Sequence, residues 1–143
     1  MNIEEKIIVY LDEGPIEGAM KLLKRKDVDV NYQDNSGKTL LMHACLGEMD
    51  KGCDHEFSEL LFEKKDLDVT LEDDEGNTAL TYACEKDDHY FVSSILDKDS
   101  KEFFHRNKKG DLPMKIAVKH ENFDLMEAFE EALDTYETMY MKK

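Results

Sequence analysis

Residues 34–45 read DNSGKTLLMHAC, and residues 73–84 read DDEGNTALTYAC. Both fit D-x-x-G-x-T-x-L-x-x-A-C, with Asp34/Asp73, Gly37/Gly76, Thr39/Thr78, Leu41/Leu80, Ala44/Ala83 and Cys45/Cys84 in register. A weaker third copy, NKKGDLPMKIAV at 107–118, keeps Gly110 and Ala117 and sets Pro113 against Leu40 and Ala79. Gly37 to Gly76 is 39 residues and Gly76 to Gly110 is 34. Self-similarity at that period is the mark of a stacked repeat.

Each copy reads as a turn that feeds a helix. Asp-x-x-Gly is turn chemistry: the carboxylate accepts from backbone amides ahead of it, and Gly supplies a positive φ without steric strain. Thr39 and Thr78 suit the N-cap, and Pro113 suits the first helical position, where a missing N–H loses nothing. Small Ala and Cys at one offset let the helix lie close to a neighbour.

These residues resemble the ankyrin family, whose signature is a period of about 33 with T-P-L-H-x-A. Here TLLMHA (39–44), TALTYA (78–83) and LPMKIA (112–117) stand in its place. The connectors Val28-Asp29-Val30-Asn31 and Leu67-Asp68-Val69-Thr70 echo the family's A-D-V-N. The resemblance spans about residues 14 to 134. The signature His is replaced by Met42, Thr81 and Lys115, and roughly five or six extra residues enter around Glu48–Phe57, judged against that period.

The expected fold is all-α: an ankyrin-type solenoid of about four helix pairs with short β-hairpin fingers. The expected domain covers residues 1–143. An N-terminal capping repeat takes 1–33. Two central repeats take 34–72, with its insertion at about 48–57, and 73–106. A C-terminal repeat and capping helix take 107–143. Ile3, Ile7, Ile8 and Leu11 mark a first helix over 3–12, ended by Gly14. Pro15 opens the next, to about Arg25. Later helices are expected at 39–46, 55–64 (Phe57, Leu60, Leu61 and Phe62 buried), 78–86, 88–97, 112–119 and 122–140. The last carries its apolar residues, Leu125, Met126, Phe129, Leu133, Tyr136 and Tyr140, at helical spacing. Its remaining face carries Glu127, Glu130, Glu131, Asp134 and Glu137, solvated or docking a basic partner.

The chain has 143 residues and a net charge of −15. That charge repels nucleic acid and anionic membranes, so neither is an expected partner. Three cysteines give no disulfide framework and suit a reducing compartment. The first residues carry acids and too short an apolar run for a signal peptide, and no 18-residue apolar run exists. A cytoplasmic monomer is expected.

Chemistry is sparse. P-loop, H-E-x-x-H, C-x-x-C and G-x-S-x-G patterns are all absent. His43-x-Cys45 and Cys53-x-His55 bracket the insertion, with Asp50 and Asp54 nearby. C-x-H is not a usual zinc spacing, and helix register aims Cys45 at the core. Buried thiols and surface imidazoles are expected, with no metal, no cofactor and no catalytic group. His89 and His120 fall at helix ends.

The resemblance implies a non-enzymatic protein-interaction module, an adaptor or scaffold, with a concave groove of finger tips and first helices. Mapped onto this chain, the groove takes Gln33, Asn35, Ser36, Lys38, Leu46 and Gly47 from the first unit. The second gives Glu72, Asp74, Glu75, Asn77, Glu85 and Lys86. The third gives Lys108, Lys109, Asp111, Lys119 and His120. The first finger is near neutral, the second acidic and the third basic, which suits a protein partner with complementary bands. The alternative is an acidic inhibitor or immunity-type protein that masks a basic or nucleic-acid-binding target.

Overall fold

The computed structural model describes residues 1–46 and 55–141. Four helix pairs follow one another: α1 (Ile3–Glu13) with α2 (Ile16–Leu23), α3 (Leu40–Leu46) with α4 (His55–Phe62), α5 (Ala79–Glu85) with α6 (His89–Lys98), and α7 (Pro113–Lys119) with α8 (Phe123–Tyr140). The first helices touch in the order α1, α3, α5, α7. Among the second helices, α2 packs on α4 and α6 on α8, while Phe62 of α4 meets Phe91 of α6 edge-on at 5.7 Å. This is a helical-hairpin solenoid.

Local chemistry sets the helix starts. Asn2 accepts the Glu5 N–H at 2.8 Å, Thr39 Oγ1 that of Met42 at 3.2 Å, Asp88 that of Phe91 at 2.9 Å and Asn122 that of Leu125 at 3.0 Å. Thr78 stands at the N-cap of α5, and its own N–H donates to Thr81 Oγ1 at 3.2 Å. Pro113 occupies the first position of α7. Pro15 stands one residue outside α2, at its cap, and that helix closes at Leu23 rather than near Arg25.

The two central first helices are buried almost all round: Leu40 to Cys45 in α3 and Ala79 to Cys84 in α5. A unit with neighbours on both sides must be apolar on both. Ala44, Cys45, Ala83 and Cys84 are fully buried, and their small size lets the helices lie close. Three of the four second helices, α4, α6 and α8, contribute a fully buried ring, Phe57, Phe91 and Phe129, each stabilising by about 1.5–3 kcal/mol on removal from water, while α2 buries Ala19 and Leu23.

Several expectations need correcting. The fingers are turns, not β-hairpins: among the described residues the strand-type pairing is a single isolated bridge, Gln33 to Thr39. Each finger is too short to add a second rung. Leu60 and Phe62 are only partly buried, because Phe57 and Leu61 face inward from α4. A 3-10 turn, Ser100–Phe104, intervenes between α6 and the third finger. It sends Phe103 against Phe129 (5.5 Å) and Phe104 against Tyr136 (5.2 Å), so α8 meets this turn as well as α6 and α7. Beyond that contact Tyr140, with Lys101 Nζ 5.9 Å from the centre of its ring, is exposed rather than core. His43, expected at the surface, is 8% exposed. The expected insertion at 48–57 lies outside the described residues up to 54; residues 55–57 begin α4.

No helix among the described residues is long and apolar enough to cross a membrane.

Candidate functional site

The three fingers are built alike. Asp34, Asp73 and Asn107 each accept two backbone N–H groups through one side-chain oxygen: Ser36 and Lys38, Glu75 and Asn77, Lys109 and Asp111, all within 2.9–3.0 Å. A glycine follows three residues on at φ +82, +75 and +82, where other residues are strained. These bonds shape each tip without help from the rest of the chain.

The second carboxylate oxygen reaches the helix that follows. Asp34 Oδ2 meets His43 Nε2 at 2.7 Å, and Asp73 Oδ2 accepts a very short hydrogen bond from the Tyr82 hydroxyl. His43 and Tyr82 each stand nine residues after the finger acid. His43 also lies 3.4 Å from Asp12 at the end of α1, so its ring ties the first finger to the N-terminal unit. Burial opposes ionisation of Asp34. The His43, Lys38 and Ser36 hydrogen bonds outweigh it and hold the carboxyl below its ordinary value. Burial and the Asp73 bond push the Tyr82 phenol well up, so it stays a donor.

Finger is joined to finger by further bonds. The Asp74 N–H donates to Ser36 O at 2.9 Å and the Lys108 N–H to Glu75 O at 3.2 Å. Gln33 Nε2 donates to both Gly37 O and Glu72 O at 2.9 Å. Asn107 Nδ2 donates to Asn77 Oδ1 at 3.1 Å, and Lys108 Nζ to the Asp74 carbonyl. Below the tips, Asn31 bridges to Asp66 and Asp68 of the next connector, both at 2.8 Å.

These bonds sort the mapped groove residues into two groups. Gln33, Asn77 and Lys108 have side chains committed to holding fingers together, and Asn77 is only 8% exposed. Ser36 is half-buried, with its hydroxyl on Asp34. Lys38, Leu46 and Asp111 are half-buried; Asn35, Glu72, Asp74, Glu75, Glu85, Lys86, Lys109, Lys119 and His120 are exposed. Gly47 lies outside the described residues. Glu72 also approaches His105 Nε2 at 3.3 Å, a ring that bonds the Gly76 carbonyl at 2.9 Å.

Between the second and third units lies an open cleft of about 760 Å³. Asp74, Glu75 and Glu85 line one side; Lys109, Lys115, Lys119 and His120 line the other. Tyr82 and Ile116 supply its apolar lining. Tyr82, Asn107, Lys115 and Ile116 were not among the mapped residues. A signal existed: Tyr82 and Glu85, and Lys115 and Lys119, share helix faces at spacings of three and four. Lys115 pairs with Asp111 at 2.8 Å, and that bond holds the Asp111 carboxyl below its ordinary value.

The residues singled out for metal have other engagements. His43 bonds Asp34, and His55 bonds Asp88 at 2.7 Å while its ring lies tilted against Tyr90 at 4.5 Å. Cys45 is buried; Cys53, Asp50 and Asp54 lie outside the described residues. His89 opens α6, and His120 caps α7 at 3.8 Å from Asp87. Cys84 is buried and its thiol is pushed well up, away from the reactive thiolate.

No curated protein matches the chain. A family model described as ankyrin repeats, in three copies, matches residues 11–102 and 49–134. Those stretches take in all three fingers and every helix pair at least in part. Matched over most of its length, and built of stacked helical hairpins whose turns protrude in a row, the chain belongs to the ankyrin-repeat family.

Proposed function

We propose that this protein is a non-enzymatic adaptor or scaffold that binds a protein partner across the row of finger tips and first helices. Ankyrin repeats are generic protein-interaction modules. The observation that carries the reading is the division of labour among the fingers. Backbone bonds and a few side chains fix the tips against one another, while Asn35, Asp74, Glu75 and Lys109 remain exposed on them and Glu85 and Lys119 at the ends of α5 and α7. A rigid row of outward polar groups is a preorganised surface, and preorganisation lowers the entropy lost on binding. We place the protein in the cytoplasm as a monomer, with neither nucleic acid nor membrane as its partner.

Affinity isolation with a Glu72→Lys/Asp74→Lys/Glu75→Lys variant tests this. Partner recovery should fall at least tenfold while the melting curve keeps its cooperativity. Undiminished recovery, or a variant that cannot fold, counts against the groove.

A second reading rests on α8. Asp124, Glu127, Glu130, Glu131 and Asp134 are exposed along it, an acidic face that suits masking a basic target. Reversal of Glu127, Glu130 and Glu131 would then abolish capture, and reversal at the fingers would not.

A further inference from the structure

Residues 105–120 carry five Lys or Arg against one Asp, whereas the other 127 residues carry 14 against 33 acids. The third finger and α7 are therefore a cationic island on an acidic molecule. Part of that charge is used internally: Lys115 pairs with Asp111, and Lys108 reaches the Asp74 carbonyl. Lys109 and Lys119 make no ion pair among the described residues. Both are exposed, and both line the cleft opposite Glu75 and Glu85.

Two exposed lysines outside any ion pair need no ligand by themselves. Solvent neutralises such a pair when nothing else does. The cleft adds what an isolated surface pair lacks, namely facing walls of opposite sign over an apolar strip from Tyr82 and Ile116. Low-dielectric walls focus the field between them. A uniformly basic segment would meet Lys109 and Lys119 head-on, and a uniformly acidic one would meet Glu75 and Glu85. Juxtaposed like charges at an interface cost several kcal/mol.

We infer that the cleft between the second and third units takes a bipolar segment of the partner protein. Its acidic residues face Lys109 and Lys119, and its basic residues face Glu75 and Glu85. This rests on the groove reading above and replaces a simply basic partner with one whose charge changes sign along the bound stretch. The two bands also fix the direction in which the segment runs, since reversal would place both pairs in repulsion.

The test is selection of a random 12-residue peptide display library on the whole chain, followed by amide chemical-shift mapping with the recovered peptides. Enriched peptides should carry acidic next to basic residues and shift amides in 74–86 and 107–120. Their affinity should fall at least tenfold on K109E/K119E and again when salt rises from 50 to 500 mM. Both lysines are exposed, so that variant should melt as the wild type does. Uniformly basic peptides that still shift finger amides would overturn the bipolar inference and leave the groove reading standing. Peptides that map to α8 would overturn both. Failure to enrich any sequence counts against both as well.

Discussion

Gly37 and Gly110 share a φ of +82 but not a neighbourhood. A Cβ on Gly37 would lie 2.9 Å from Asp73 Cα and 3.1 Å from the Asp74 nitrogen, whereas nothing stands within 4 Å of one on Gly110. Alanine at Gly110 meets only the backbone angle, a cost of about 1 kcal/mol. Alanine at Gly37 must also push the second finger away, which adds about 1–3 kcal/mol. Urea unfolding of the two variants separates these effects, and equal losses would mean the fingers are not in close contact. A second residue-level case is Tyr82. Phenylalanine there keeps the ring but removes the donor to Asp73, a residue only 6% exposed. Leaving that oxygen without its donor should lower stability by about 1–3 kcal/mol. A loss under about 0.5 kcal/mol would indicate that water replaces the phenol.

At the scale of elements, three residues turn each later hairpin. After α5 the Asp87 N–H returns to Cys84 O and the Asp88 N–H to Ala83 O, both at 3.1 Å. After α7 the Glu121 N–H returns to Val118 O at 3.0 Å and the Asn122 N–H to Ala117 O at 3.2 Å. This is the Schellman pattern, whose left-handed position favours Gly. Here that position holds Asp87 (φ 56) and Glu121 (φ 54). Asp88 and Asn122 then serve at once as the end of one helix and the N-cap of the next. Glycine at Glu121 should raise stability by about 0.5–1 kcal/mol, relief of strain exceeding the added chain entropy. Asp87→Gly should gain less, because it also loses the 3.8 Å approach to His120. Calorimetric melting checks both, and a drop in Tm for Glu121→Gly would contradict the strain. The same scale shows what sequence could and could not reveal. Finger tips and helix starts are written in residues two to four apart, so Asp34, Gly37, Thr39 and Asn122 could be read directly. Whether Gln33 or Asn77 faces a partner or a neighbouring finger depends on residues 30 or more away. Likewise α8 keeps helical spacing to Tyr140, but its burial depends on Phe103 and Phe104, which arrive from the 3-10 turn.

Over the whole molecule, each unit is sealed by its neighbours, so a defect at one junction is felt along the row. Glu102 sits at such a junction. It lies on the 3-10 turn, which packs on α6, α7 and α8, and it is 6% exposed with Oε1 lacking a partner among the described residues. Burial pushes its carboxyl up to about 7; His105 draws it back, Thr78 favours ionisation, and Asp99 and Asp68 oppose it. The folded value thus exceeds the ordinary carboxylate value of 4.5. The native state holds this proton more tightly than the unfolded chain does. Its contribution is therefore complete below about 4.5, declines as pH rises through that window, and is lost above about 7. Glutamine keeps the shape and cannot ionise. Glu102→Gln should melt close to wild type at pH 4.5 and pull ahead as pH rises, by about 1–2 kcal/mol at pH 8 once solvent screening is allowed for. Melting curves of the two proteins across pH 4.5 to 8 give the difference directly, with other groups cancelling between them. A gap that stays constant, or that closes as the solution becomes alkaline, would show that Glu102 is ionised in the fold without strain on this junction.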